Sequence, residues 1–154
     1  MGQDHNQRLA EAGWMLPAIN PPRFNYVPSI AVDDVVYFSG KTPPPDFEHR
    51  GRLGEEIDIE TGRLAAQAAA LHCLAQIEAE YGLDNVQRLI KLTGFVASTG
   101  DFNDQPRVID AASDLFTTVL GAAGHHTRSA IGVASLPGGW PVELEITILL
   151  NATR

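Results

Sequence analysis

Cysteine is nearly missing from this chain: Cys73 stands alone among 154 residues. A single thiol makes no internal disulfide and supplies no cysteine-rich metal cage, a composition that suits a reducing compartment. Positive charge is scarce as well, with 11 Lys and Arg against 19 Asp and Glu and a formal net charge of −8. The basic residues do not cluster, so nothing offers a phosphate backbone or an anionic membrane a counter-charge. Neither nucleic acid nor membrane is an expected partner. No apolar run approaches the roughly 20 residues that span a bilayer. The opening stretch, MGQDHNQRLAEAGWMLPAIN, is polar and acidic where a secretory signal would be basic and then apolar. These absences predict a cytoplasmic protein, and 154 residues with 44% hydrophobic content allow one domain with a real core.

What is present alternates between short strands and helices. Gln7 to Ala12 predicts a short helix stopped by Gly13, and Pro17 to Pro22 an extended arm. SIAVDDVVYFSG carries β-branched and aromatic residues on both sides of Asp33-Asp34. That is a hairpin signal, with one strand ending near Val32 and the next running from Val35 to Ser39. Gly40 breaks the second strand, and Pro43 to Pro45 with the charged stretch up to Glu56 predict a solvent-exposed loop. Thr61 is the expected cap of a helix through LAAQAAALHCLAQIEAEYG, with Leu64, Ala68, Leu71 and Leu74 at helical spacing and Gly82 as its stop. RLIKLTGFVAST alternates as a strand with Ile90, Leu92 and Val96 on one face. Asp104 and Pro106 open a second helix whose stripe is Ile109, Ala112 and Phe116, closed by Gly121. Two more strands complete the order β-β-α-β-α-β-β, without repeat or internal linker. One sheet covered on one face by two helices, an α+β fold, is the economical architecture.

The last two strands lie within TRSAIGVASLPGGWPVELEIT, from Thr127 to Thr147. Strand alternation puts Arg128, Ala130, Gly132 and Ala134 on one face and leaves Ile131 and Val133 as the expected core. In the final strand Val142, Leu144, Ile146, Ile148 and Leu150 share the core face, while Glu143, Glu145 and Thr147 face away. A hairpin around Leu136 to Trp140 would then place Arg128 and Glu143 near its open ends on the helix-free face. An exposed ion pair there contributes roughly 0–1 kcal/mol and is ordinary. Two features point further: the small residues beside Arg128 leave room around its guanidinium, and the same face carries Tyr37 and Phe95. A large apolar face without a covering layer suggests subunit packing.

Other reactive side chains have simpler readings. Adjacent His125 and His126 point to opposite faces of a strand, a poor chelate, and read as a surface loop. Cys73, mid-helix, reads as a buried hydrophobe. Asp101, Asp104, Asp110 and Asp114 lack the alternate spacing of a calcium loop and fit a capped, solvated helix face. Trp140 is a packing residue in the Gly138-Gly139 turn, within reach of a neighbouring subunit.

The pattern YVPSIAVDDVVYFSGKTP, a long alanine-rich helix, and then TRSAIGVASLPGGWPVELEI resembles the YjgF/YER057c/UK114 family, the Rid imine and enamine deaminases, in its branch with an extended N-terminal arm. The resemblance runs from about Asn25 to the C-terminus, leaving residues 1–24 as the arm and 25–154 as the domain. It rests on SG-x-x-P at Ser39 to Pro43 together with R-S…V-x-x-L-P…V-E-x-E from Arg128 to Glu145. The resemblance implies a chorismate-mutase-like fold, a homotrimer whose three sheets form a central barrel, and ligand clefts between subunits. It implies Arg128 as the anchor of a substrate carboxylate and Glu143 as the residue that positions the attacking water. Tyr26, Ser39 and Gly40 would line the same cleft from a neighbouring subunit. Near the second-helix position where many deaminating members carry asparagine stand Ile109 and Asp110, and Asp110 brings a negative charge beside the ligand.

The implied chemistry is sound. Arginine's planar fork holds a carboxylate through two parallel hydrogen bonds, which orients the electrophilic C=N carbon of a 2-imino acid. A carboxylate across the cleft accepts the proton of the attacking water, ammonia leaves and a 2-keto acid remains. Positioning alone suffices, so no metal or organic cofactor is expected. A non-catalytic module that binds a small carboxylate metabolite in the same cleft is the alternative. RNA cleavage is a distant third, opposed by the acidic balance.

Overall fold

The computed structural model describes residues 3–152 of the chain. Its regular elements are α1 (His5–Glu11), β1 (Ser29–Val32), β2 (Val35–Phe38), α2 (Ile59–Tyr81), β3 (Val86–Ala97), α3 (Gln105–Leu120), β4 (Thr127–Val133) and β5 (Val142–Leu150). Five strands form one sheet in the order β1-β2-β5-β3-β4. Only β3 and β4 run parallel; the other neighbours are antiparallel. Helices α2 and α3 pack on each other and on one face of this sheet, the α+β arrangement expected. Among the described residues no helix is long and apolar enough to cross a membrane.

The first hairpin closes where the sequence places it, with Val32 opposite Val35 and Asp33 at φ 53. Aspartate is among the few residues that tolerate this left-handed conformation. Gly82 (φ 77) and Gly121 (φ 59) end α2 and α3 for the same backbone reason. The start of α2 differs from expectation. Asp58, not Thr61, is the cap, and its carboxylate accepts the Thr61 N–H at 2.8 Å. That bond holds the Asp58 carboxyl below its ordinary range.

The buried face of α2 also differs. It is built from Ala65, Ala66, Ala69, Ala70, Cys73, Leu74 and Ile77, while Leu64 is 56% exposed. Small side chains let the helix settle close to its neighbours, so alanine, not leucine, marks the contact face. The loop from Pro43 to Glu56 is likewise not free in solvent. Leu53 is fully buried, its N–H donates to Ala97 O at 2.8 Å, and its carbonyl accepts from Thr99 at 3.0 Å. Further back, the Arg50 guanidinium lies 3.2 Å over the Trp140 ring. One backbone ladder and one cation–π contact thus fasten the loop to the end of β3 and to the β4–β5 turn.

Two strands correct the alternation read from sequence. In β3 the pairing with β5 shifts register between Val86 and Arg88 and again between Leu89 and Lys91. The shift lets Leu89 and Leu92 both enter the core and leaves Ile90 half-buried. The larger correction concerns β4. It does not form a hairpin with β5, because β3 lies between them. Phe95 of β3 stands opposite both Ile131 and Glu143, whereas Leu92 stands opposite both Arg128 and Ile146. Residues directly opposite share a face. Arg128 therefore lies on the helix side with Leu92, and Ile131, 45% exposed, lies on the open side with Glu143. Gly94, opposite Ala130, confirms the assignment, since a Cβ there would meet Ile109 of α3 at 2.6 Å. In β5 the expected core face is the observed one.

The N-terminal helix docks on the domain: His5 is buried, with Nε2 2.9 Å from Val86 O, and Leu9 joins the main core beside α3.

Candidate functional site

The expected site residues gather into two groups on opposite faces of the sheet. The first is built where β4, the edge strand, passes α3. Arg128 Nη1 donates to Asp110 Oδ1 at 2.7 Å and to Ser113 Oγ at 3.2 Å, and Nη2 donates to Pro106 O at 3.3 Å. Asp110 and Ser113 are three residues apart on one helix face, which is why one guanidinium reaches both. The Arg128 side chain is 23% exposed and that of Asp110 54%. Arg128 thus pairs with Asp110 within the chain and not with Glu143 across the strands.

Behind Arg128 stands a relay that the sequence reading left out. Ser113 Oγ lies 3.0 Å from His126 Nε2, and His126 Nδ1 lies 2.6 Å from Gly124 O. A carbonyl only accepts, so Nδ1 carries the proton. Burial lowers the His126 pKa, with the Arg128 charge acting in the same direction, so Nε2 is free to accept the Ser113 hydroxyl. Ser113 in turn keeps its lone pairs for Arg128. His126 is therefore half-buried and bonded, not the surface-loop residue expected; His125 is the exposed one. Helical spacing from Asp110 would have found Ser113, had Arg128 been placed on the helix side.

The second group lies on the open face. Glu143 is half-buried, and among the described residues its carboxylate has no hydrogen-bond partner. Burial raises its pKa, helped by the like charge of Glu145. Gly40 backs directly onto it: a Cβ there would collide with the Glu143 carboxylate. Beside this pair opens a cleft of about 540 Å³ lined by Tyr26, Ser29, Tyr37, Ser39, Glu145 and Thr147, among others. Ser39 Oγ donates to Val27 O at 2.6 Å, which ties the end of β2 to the segment carrying Tyr26. Tyr26 and Ser39 therefore meet in one chain, Gly40 meets Glu143, and Asp110 meets Arg128.

Other polar groups stand apart from both. Lys41 Nζ donates to Gln76 Oε1 at 2.7 Å inside the helix layer, and burial lowers its pKa. Burial pushes the Cys73 thiol up to about 12, which makes it an unreactive hydrophobe. A larger, acidic hollow of about 650 Å³ at the start of α2, lined by His49, Glu55, Glu56 and Asp58 among others, includes none of the expected site residues. Among the described residues no three His, Cys, Asp or Glu side chains converge as metal ligands.

Known proteins share both the sequence and the fold. The sequence profile of the endoribonuclease L-PSP family matches residues 18–150. The chain is 39% identical over 147 residues to protein TCP17 of Trypanosoma cruzi, covering 93% of this chain and 92% of that protein. The crystal structure of Atu1372 from Agrobacterium tumefaciens, a protein of unknown function, is 37% identical and superposes with a TM-score of 0.85, covering 95% of this chain and 91% of that one. E. coli TdcF, solved with bound serine, is 26% identical with a TM-score of 0.60, covering 88% of this chain and 93% of that one. With this profile, these relatives and a chorismate-mutase-like sheet on two helices, the chain belongs to the YjgF/UK114 family.

Proposed function

We propose that the chain hydrolyses 2-imino acids, and their 2-enamino tautomers, to 2-keto acids and ammonia in clefts between copies of itself, assembled as a homotrimer. The observation that carries this reading is Glu143: a half-buried carboxylate of raised pKa, without a hydrogen-bond partner and on a sheet face left open among the described residues. Such a group is a better base than an exposed glutamate and is placed where an apolar partner surface would exclude water. The same face exposes Ile30, Tyr37 (55% exposed) and Ile131, which supports a covering copy.

In this reading Arg128 holds the substrate carboxylate and Glu143, across the interface, holds a water beside the C=N carbon. With the imine nitrogen protonated, the water oxygen bonds to that carbon as one water proton passes to Glu143 and the C=N π pair moves to nitrogen, giving a neutral carbinolamine. Glu143 passes that proton to nitrogen, then accepts the hydroxyl proton as the oxygen closes to C=O and the C–N bond breaks, so ammonia leaves and a 2-keto acid remains. Gly40 sets the carboxylate's position by contact, while Tyr26 and Ser39 line the cleft mouth. Asp110 sits beside the carboxylate anchor. Residues 1–24 act as an arm on the catalytic domain, and the lone Cys73 suits a cytoplasmic setting. The serine bound by TdcF is a small carboxylate of the same class.

One observation favours a second reading. Arg128 is fixed by Asp110 and Ser113 on the face of the sheet opposite Glu143, which suits a site that binds a small carboxylate metabolite without turning it over. RNA cleavage, despite the family's name, stays third because the net charge is −8. An imine-hydrolysis assay separates these. An amino-acid oxidase generates 2-imino acids from a panel of amino acids, with semicarbazide trapping the imine. The native protein should lower the trapped product, and Glu143→Gln should lose about 10²–10⁴ of that rate. No loss of trapped product across the panel would refute deamination.

A further inference from the structure

The charge pair at the edge of the sheet carries a statement about ligand chemistry. Arginine has five N–H donors. Three contacts of Arg128 are made within the chain, to Asp110, Ser113 and Pro106, so two donors remain for a ligand. Asp110 uses Oδ1 for Arg128, and among the described residues Oδ2 has no partner. Both side chains reach solvent, Asp110 over half its surface. A cation with spare donors and an anion with a spare acceptor thus stand 2.7 Å apart at one accessible spot.

A simple carboxylate meets a divided welcome there. It gains the free N–H groups of Arg128 but approaches Asp110 with like charge, and the two effects are of similar size at similar distance. A zwitterion whose cationic nitrogen sits one carbon from its carboxylate matches both charges. The ion-pair spacing and the carboxylate-to-nitrogen spacing of such a molecule are both those of one short hydrogen bond. Arg128 cannot easily swing away from Asp110, because Ser113, itself held by His126, grips the same Nη1 from a second side.

We propose that the Arg128–Asp110 pair selects zwitterionic ligands, a 2-amino acid or a protonated 2-imino acid, with the carboxylate on Arg128 and the cationic nitrogen on Asp110. The assignment rests on the reading of Arg128 as the carboxylate anchor and names the charge state that this anchor accepts. It also gives the site a direction. When the C–N bond breaks, the cation leaves with nitrogen and a bare 2-keto acid anion remains facing Asp110. Substrate is held by two charges; product is held by one and repelled by the other.

Calorimetric binding of L-alanine and propionate tests this, since the two share a carbon skeleton and differ in the ammonium group. The native protein at neutral pH and low salt should bind L-alanine at least about tenfold tighter than propionate. Asp110→Asn, nearly isosteric, should weaken L-alanine and tighten propionate, so that the ratio falls to about one. Arg128→Lys, which keeps the charge but loses the fork, should weaken both. Equal or tighter propionate binding by the native protein, a ratio that Asp110→Asn leaves unchanged, or no L-alanine binding at millimolar concentration each overturns the proposal. Failure of imine hydrolysis with the binding ratio intact refutes only the deaminase reading. Imine hydrolysis with the ratio absent refutes only the zwitterion assignment.

Discussion

Gly40→Ala isolates the role of Glu143 without touching it. Gly40 has no left-handed φ to lose, so alanine fits its backbone. The added Cβ would stand 2.9 Å from Glu143 Cδ and 3.2 Å from Cγ, closer still to Oε1. Ordinary carbon contacts begin near 3.5 Å, so the carboxylate must retreat by roughly 0.6 Å or more. The yielding group is the end of a side chain, so the fold should absorb the change. The opposing terms are about 0.4–1 kcal/mol gained by stiffening the unfolded chain and about 1–3 kcal/mol lost to overpacking. Tm should then fall by no more than about 10 °C at about 2–4 °C per kcal/mol for a chain of this size. The catalytic effect should be larger, because about 1 Å of misplacement costs on the order of 10²-fold in rate. Imine hydrolysis and scanning calorimetry on the same preparation measure both. A double-mutant cycle completes the test: in a Glu143→Ala background the Gly40 substitution should cost nothing further. Full activity in Gly40→Ala, or an equal loss with Glu143 already absent, would refute the assignment of Glu143 as a contact-positioned base.

Three further outcomes follow from the packing and the titrations. Burial lowers the pKa of His126, and of His72, below the ordinary 6.5, so the unfolded chain binds more protons than the folded one just under that pH. Stability should be full above about pH 6.5 and decline as pH falls through that window, and His126→Gln should flatten part of the decline in chemical-denaturation curves; a slope of opposite sign would contradict the burial of a neutral imidazole. Cys73, its thiol pushed up to about 12, should resist iodoacetamide at pH 8 in the folded protein and react once denaturant is added, so rapid labelling of the native chain would contradict its burial. Leu53→Ala should destabilise by about 2–5 kcal/mol in the same denaturation experiment, a loss that a truly solvent-exposed loop would not show.

Much of the fold was legible because local signals and tertiary packing agree. The Asp33-Asp34 turn, the glycine stops of both long helices and the core face of β5 are each written in one short stretch. The failures share a cause: each depends on what lies beside the residue in space. Leu53 reads as loop until the end of β3 is there to pair with it. Leu64 reads as core until an alanine face proves able to approach more closely. The register shifts that move Leu89 inward cannot be seen in an alternating run. In β4 the alternation holds but its two faces are exchanged, because the bulky Ile131 stands on the open face while the small Ala130 and Gly132 face α3.

That exchange changes what the candidate site must be. Alternation within TRSAIGVASLPGGWPVELEIT, with a hairpin between its two strands, predicts Arg128 and Glu143 on one face. The parallel pairing of β3 with β4 instead sets Arg128 in the row of Leu92 and Glu143 in the row of Phe95, three residues along and on the other side of the sheet. A sheet is too thick for one small molecule to touch both. Any ligand that does touch both must lie where the edge strand of one chain meets the open face of another. Ile131, three residues past Arg128 on β4 and exposed on the Glu143 side, would lie at such a junction. In the proposed reaction, the face that a lone chain leaves wet is the one a second copy would cover to bring Arg128 and Glu143 together, so a chain that stays monomeric should show no imine hydrolysis.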